Sequence, residues 1–113
     1  GDDEDVSFPD YVLRITTNPS SASANSTANE IATFTAAGAS TPTGATLAYI
    51  WQKYNGGSFA NLTNTGAYSN TTTATLSVKA NTASNGEVYR IRISATGANA
   101  AVFSSNATIT ITT

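Results

Sequence analysis

Cysteine, histidine and methionine are all absent from these 113 residues. Without cysteine the chain has no disulfide and no thiol nucleophile, and without histidine it lacks the commonest general base and a frequent metal ligand. Serine is plentiful, but no histidine is present to activate it. These absences exclude soft metal sites and thiol chemistry, and no cofactor is expected. The fold must therefore hold by packing and backbone hydrogen bonds.

Carboxylates are also scarce in the body of the chain. After Asp10 at its rim, the only acidic residues are Glu30 and Glu87. A glycosidase needs two carboxylates across one cleft. Both residues begin predicted strands, so a shared cleft is conceivable, but nothing else in the sequence supports one. We therefore expect no enzymatic activity.

Long apolar runs are missing, and charge is sparse and unevenly placed. The longest apolar run, residues 47–51, is far too short to span a membrane, so no membrane insertion is expected. Five of the seven acidic residues lie in residues 1–10. From residue 11 onward five cations oppose two acids, a net charge of +3. That is too weak a basic character for nucleic-acid binding, which requires a dense basic stripe.

Residues 1–10 read as an acidic extension or linker, and residues 11–113 as one domain. The cluster Asp2, Asp3, Glu4 and Asp5 could be interpreted as a calcium site. It lacks the glycine and the later glutamate of a calcium-binding loop, so a solvated tail is the favoured interpretation.

Apolar and polar residues alternate through most of the domain, and no segment has a helical stripe. Asn55, Gly56 and Gly57 mark a tight turn between two of the alternating runs. Residues 20–29 are interpreted as a polar crossing segment, 38–44 as a loop and 97–100 as a turn. Strands are predicted at residues 11–16, 32–36, 47–54, 58–62, 74–78, 87–95 and 107–112, with a further short one near Tyr68. This spacing indicates an all-β sandwich of about seven to eight strands.

Trp51 and Tyr89 lie at the centres of the two strongest alternating runs. We predict that both point inward, with the Trp51 ring at the middle of the sandwich and the Tyr89 hydroxyl bonded to backbone near residues 81–84, a tyrosine corner. The predicted core residues are Phe34, Ala36, Trp51, Leu76, Tyr89 and Ile91.

Several segments resemble the immunoglobulin-like modules of bacteria and bacteriophages. Residues 49–59 carry a "WQ…GG" hairpin, residues 73–78 a "TATL" strand, residues 85–91 an "NG..YR" corner, and residues 105–110 a matching last strand. The resemblance covers about residues 11 to 113 and implies a Greek-key sandwich without the usual disulfide, Ala36 and Ile91 standing at the cysteine positions. Phe59 stands where many relatives have tryptophan.

In the same two central strands, the residues that alternate with Trp51 and Tyr89 should point outward and form a distinctive patch. It comprises Ile50, Gln52, Tyr54, Arg90 and Arg92. Ordinary solvated arginines on an exposed sheet are one interpretation, and an anion-binding or subunit-packing surface is the other. Tyr54, outward and near the hairpin tip, could also stack on a sugar.

A covalent alternative concerns Lys53 and Asn106. Some cysteine-free surface domains lock themselves with a Lys–Asn isopeptide bond that a buried acid assists. Lys53 shares the inward parity of Trp51, but it lies near a strand end, where its ammonium group can reach water.

The resemblance implies a non-enzymatic structural and display module of a bacteriophage virion, in its tail, fibre or capsid decoration. Such a module gives spacing and makes weak multivalent contacts with host surface glycans, beside other virion subunits. The alternatives are a bacterial cell-surface adhesin or an accessory carbohydrate-binding module of a secreted enzyme. A third is a polymerising coat or filament subunit whose acidic extension joins a neighbour's edge strand. All of these settings are extracellular or on a virion surface.

Overall fold

A computed structural model describes residues 11–113, and within them the chain forms eleven strands and one short 3-10 turn, Thr82–Ser84. Among these residues no helix is long and apolar enough to span a bilayer. Residues 1–10 lie outside the described part of the chain. They comprise the predicted acidic extension and the acidic cluster that was considered as a calcium site. The strands are β1 Val12–Thr17, β2 Ala22–Asn25, β3 Ile31–Thr35, β4 Ala37–Thr41, β5 Leu47–Tyr54, β6 Phe59–Asn61, β7 Tyr68–Ser69, β8 Thr75–Lys79, β9 Val88–Ala95, β10 Val102–Phe103 and β11 Ala107–Thr112.

The strands form three hydrogen-bonded sheets, and the two larger ones pack against each other. The larger sheet has the order β2-β11-β9-β5-β6, with β10 also paired to β9, and the smaller has the order β3-β8-β7. β1 pairs with β4, which follows β3 after the single residue Ala36. The chain passes from β3 in one sheet to β5 in the other, back to β7 and β8, and again to β9. This is the Greek-key connectivity of an immunoglobulin-like sandwich.

Three strands occupy segments that the sequence did not predict as strand. β2 lies in the supposed crossing segment and pairs in parallel with β11, and β10 is only two residues long. β4 lies mostly in the predicted loop. It was not predicted as a strand because its small residues show no alternation of apolar and polar side chains. A Cβ atom on Gly38 would come within 2.8 Å of Ile93 Cδ1, so close packing at this position requires glycine. The described chain therefore has more strands than the seven to eight expected.

The core fills the space between the sheets, and the structure buries each of the six residues predicted for it. Trp51 is fully buried, and its indole N–H donates to the Thr73 carbonyl oxygen at 2.8 Å. Phe34 and Tyr89 pack edge to face with ring centroids 5.2 Å apart. Such contacts join the two sheets where a disulfide is absent.

Candidate functional site

The most distinctive surface lies on the outer side of β5 and β9. Their antiparallel register places Gln52 opposite Arg90 and Ile50 opposite Arg92. Since the alternate residues Trp51, Tyr89 and Ile91 are buried, this set faces away from the core. The structure thus brings the predicted patch residues of these two strands onto one face of the larger sheet.

Arg90 is held between two aromatic rings on this face. Its guanidinium carbon lies 3.9 Å from the centroid of the Phe59 ring and 4.1 Å from that of Phe103. Its Nε–H donates to Gln52 Oε1 at 2.8 Å. Within residues 11–113 this is the only hydrogen bond of the Arg90 side chain. The two rings and Gln52 therefore hold the guanidinium in place, and its terminal nitrogens have no hydrogen-bond partner among residues 11–113.

Gln52 differs from the prediction, because it is buried and not exposed. Its Nε2 donates to Asn61 Oδ1 at 2.9 Å while its Oε1 accepts from Arg90. Both ends of the amide are thus satisfied by neighbouring strands. Gln52 acts as a fixed support that orients Arg90 and is not itself a contact residue.

Phe59 and Phe103 complete the surface, and sequence reasoning missed both as site residues. Phe59 pairs with Tyr54 across the β5–β6 hairpin, and their rings meet edge to face at 5.3 Å. Tyr54 and Phe103 are 47% and 44% exposed, so open ring surface flanks the cation. The outward surface formed by Ile50, Gln52, Tyr54, Phe59, Arg90, Arg92 and Phe103 is called the Arg90 face below.

The Arg90 face is positively charged. Arg90 and Arg92 are alternate residues of one strand and therefore start about 7 Å apart on the same side. Neither Glu30 nor Glu87 joins them within residues 11–113, since Glu30 accepts from the backbone N–H of Asn25 and Glu87 belongs to an inner cluster. Burial lowers the pKa of Arg90 from its ordinary value, yet arginine remains charged at neutral pH. The face therefore combines two cations with open aromatic surface.

Glu87 forms the centre of a second polar cluster, between the sheets. Its Oε1 accepts from the Tyr68 hydroxyl at 2.6 Å and from the Tyr89 hydroxyl at 2.7 Å. Its Oε2 lies 3.5 Å from Lys53 Nζ. The prediction of a tyrosine corner is therefore wrong about the acceptor of the Tyr89 hydroxyl, which is the Glu87 carboxylate and not the backbone. Glu87 shares the inward parity of Tyr89, so its carboxylate reaches the hydroxyl that was expected to bond backbone near residues 81–84.

The structure does not pair the residues of the two chemical alternatives, the isopeptide bond and the carboxylate cleft. Lys53 pairs with Glu87, whereas Asn106, its supposed isopeptide partner, is solvent-exposed. Glu30 bonds the backbone of its own turn, and Glu87 bonds two tyrosines. Glu30 and Glu87 thus have separate structural partners.

The Glu87 cluster predicts a loss of stability in alkali. Burial, and next the hydrogen bond to Glu87, raises the pKa of Tyr68 from 10.0 to about 12, and burial likewise raises the pKa of Tyr89. The unfolded chain, with its ordinary tyrosine pKa, releases these protons before the folded protein does. The free energy of unfolding is therefore fully retained below pH 10 and falls as the pH rises through about 12.

Urea unfolding followed across this pH range, together with tyrosinate absorbance, measures the effect. The late-ionising tyrosines should ionise only as the folded protein is lost. Tyr68→Phe should lose less stability than the parent across the same range. The expectation would be contradicted if all tyrosines ionised with a midpoint near pH 10 while the protein stayed folded.

Comparison with known proteins supports the fold. No protein-family model matches the chain, and no curated protein matches it. The structure "Tandem Ig repeats of Dlar" is similar, with a TM-score of 0.61, 13% identity, and coverage of 92% of this chain and 48% of that chain. The extracellular domains 3–5 of Drosophila OTK are also similar, with a TM-score of 0.55 and 10% identity over 89% of this chain and 32% of that chain. This chain therefore spans about half of the first structure and a third of the second, and the likeness confirms an immunoglobulin-like β-sandwich.

Proposed function

We propose that this chain is a non-enzymatic immunoglobulin-like display module that works outside the cell and contacts its partner through the Arg90 face. The observation that carries the proposal is the Phe59–Arg90–Phe103 stack with its Gln52 support. Cation and rings are held in one fixed geometry. Such a surface loses little side-chain entropy when it binds.

Host surface glycans are the partner that we propose for this face. The exposed rings of Tyr54 and Phe103 offer apolar surface to the C–H faces of a sugar, and the guanidinium groups offer hydrogen bonds. One small, shallow face gives a weak contact. Presentation in many copies raises the overall affinity by about 10²–10⁴ where the geometry allows simultaneous contacts.

A bacteriophage virion is the setting that we propose, on the strength of the hairpin, strand and corner motifs described above. In a tail, fibre or capsid decoration the module would sit beside other virion subunits and provide spacing. Many ordered copies on an imaged particle would support this setting. The gene that encodes the chain would also show whether it lies among virion genes.

A module of a bacterial surface adhesin is the second candidate. It is favoured by the likeness to structures of tandem immunoglobulin repeats and of extracellular domains. The same face would then meet glycans from a chain of linked domains, as it would in an accessory module of a secreted enzyme. Repeats and an anchor in the parent reading frame would favour this candidate over the virion.

A glycan array tests the binding function directly. The domain is displayed on a multivalent scaffold, and we expect binding to a restricted set of glycans that weakens when Phe103→Ala removes an exposed ring. Ile31→Ala is the matched control, because Ile31 is an exposed apolar residue of the smaller sheet, 60% exposed. Absence of binding by the multivalent domain, or equal weakening by both variants, would contradict the proposal.

A further inference from the structure

We infer that the Arg90 face recognises a carboxylate-bearing sugar, with the carboxylate held edge-on by the two terminal nitrogens of Arg90. The inference rests on the proposed function, because it names the chemical class of the glycan. It assigns Arg90 as the residue that determines specificity.

The geometry of the guanidinium carries the first step. An arginine side chain has five N–H donors in one plane, and here Gln52 occupies the one on Nε. The rings of Phe59 and Phe103 lie against the guanidinium, with their centroids 3.9 Å and 4.1 Å from its central carbon. Among residues 11–113 no partner occupies Nη1 or Nη2, and these two nitrogens form the fork that matches two oxygens of one acid group.

A carboxylate matches the free edge of Arg90, because its two oxygens and the two terminal nitrogens can lie in one plane and form two parallel hydrogen bonds. Gln52 fixes the orientation of that plane through Nε, so the fork is positioned before a ligand binds. A sulfated polymer tests whether a tetrahedral anion binds there as well.

Charge gives the second step. Arg90 and Arg92 lie on the same side of β9, and neither Glu30 nor Glu87 joins them in the described chain. Burial of the Arg90 guanidinium removes part of its hydration, and an anion at its free edge would restore favourable interactions. Arg92 adds long-range attraction that weakens with salt.

The exposed aromatic rings beside Arg90 favour a sugar over an acidic peptide as the ligand. In a uronic acid the carboxylate is attached directly to a rigid ring, whose C–H face lies beside it. Tyr54 and Phe103 place open aromatic surface beside the cation in the same way. An aspartate or glutamate side chain would supply the acid group alone and would lose rotamer freedom on binding.

The experiment uses the multivalent domain and two polymers that differ in one group. One polymer carries glucuronic acid, and the other carries glucose, in which a CH₂OH replaces the carboxylate. We expect selective binding of the glucuronate polymer. Arg90→Gln and Arg90→Lys should each weaken that binding by at least about tenfold, because lysine keeps the charge but lacks the fork.

Arg14→Gln is the matched control. It removes the same charge from exposed strand β1, where Arg14 contacts Thr41, and it should change binding by less than about twofold. Urea unfolding of every variant establishes that each is folded. Phe103→Leu is a further variant that keeps both arginines and removes one ring, and it should also weaken glucuronate binding.

Each contrary outcome has its own meaning. Equal binding of the glucuronate and glucose polymers overturns the carboxylate inference and leaves the proposed glycan function standing. If the domain binds neither polymer and the glycan array also shows no binding, both the inference and the proposed function are overturned. Equal loss in Arg14→Gln and Arg90→Gln, or full binding by Arg90→Lys, shows attraction to charge alone and overturns the inference. Tighter binding of a sulfated polymer or of polyglutamate overturns the choice of an acidic sugar.

Discussion

Trp51→Ala should lower the free energy of unfolding by about 3–5 kcal/mol, the range for removal of a large aromatic from a core. The ring is fully buried between the sheets, and its N–H bond to the Thr73 carbonyl is lost with it. Neighbouring strands are fixed by their ladders, so they cannot collapse fully into the cavity. Because small domains are stable by only about 5–15 kcal/mol, this change should remove a large part of the protein's stability.

Urea unfolding of Trp51→Ala, Trp51→Phe and Tyr54→Ala separates the contributions. Trp51→Phe keeps most of the apolar ring and loses the indole hydrogen bond, so it should fall between the parent and the alanine variant. Tyr54→Ala removes a half-exposed ring and should cost less than about 1 kcal/mol. If Trp51→Ala cost no more than Tyr54→Ala, the sandwich would not depend on this ring.

Glu87→Ala should lower the free energy of unfolding by about 2–4 kcal/mol. It removes the acceptor of both the Tyr68 and the Tyr89 hydroxyl. A buried hydroxyl without a partner costs about 1–3 kcal/mol, and Tyr89 is fully buried. Glu87→Gln keeps an acceptor oxygen at the same place and should therefore cost less than the alanine variant.

Lys53→Met is the control that isolates the tyrosine hydrogen bonds from the ion pair. Lys53 and Glu87 are 27% and 20% exposed at their side chains, and their nearest atoms are 3.5 Å apart. A pair of this length near solvent contributes little, so Lys53→Met should leave stability almost unchanged. A loss in Lys53→Met equal to that in Glu87→Ala would show that the ion pair, and not the tyrosine bonds, holds the cluster.

The core and the proposed binding face lie on opposite sides of the same two strands. In β5 and β9 the inward residues Trp51, Tyr89 and Ile91 are buried, and the alternate residues Arg90 and Arg92 lie outward. Substitutions on the Arg90 face can therefore test binding in a protein that keeps its core. This separation is a direct consequence of the two-residue period of a strand.

Strand alternation made the core and the outward arginines predictable from sequence. The side chains of Trp51 and Tyr89 dominate their runs, and parity alone then assigns Arg90 and Arg92 to the other face. β11 was predicted with its observed bounds for the same reason, because residues 107–112 alternate strictly. These assignments need no knowledge of which strands pair.

The parts that sequence reasoning missed depend on pairing across strands. Phe59 meets Arg90 only because the β5–β6 hairpin sets its register, and a hairpin reading that started from the Asn55 turn could have found it. Phe103 lies in a two-residue strand with no pattern of its own. The burial of Gln52 follows from partners on two different strands, Asn61 and Arg90, which no local signal reveals.

The measurement that tests the binding account most directly is backbone amide NMR of the domain during titration with a glucuronate-bearing oligosaccharide. We expect shift changes concentrated on the outer side of β5, β9 and β10, at Gln52, Arg90 and Phe103. Shift changes confined to the smaller sheet of β3, β8 and β7, or their absence at saturating sugar, would contradict it.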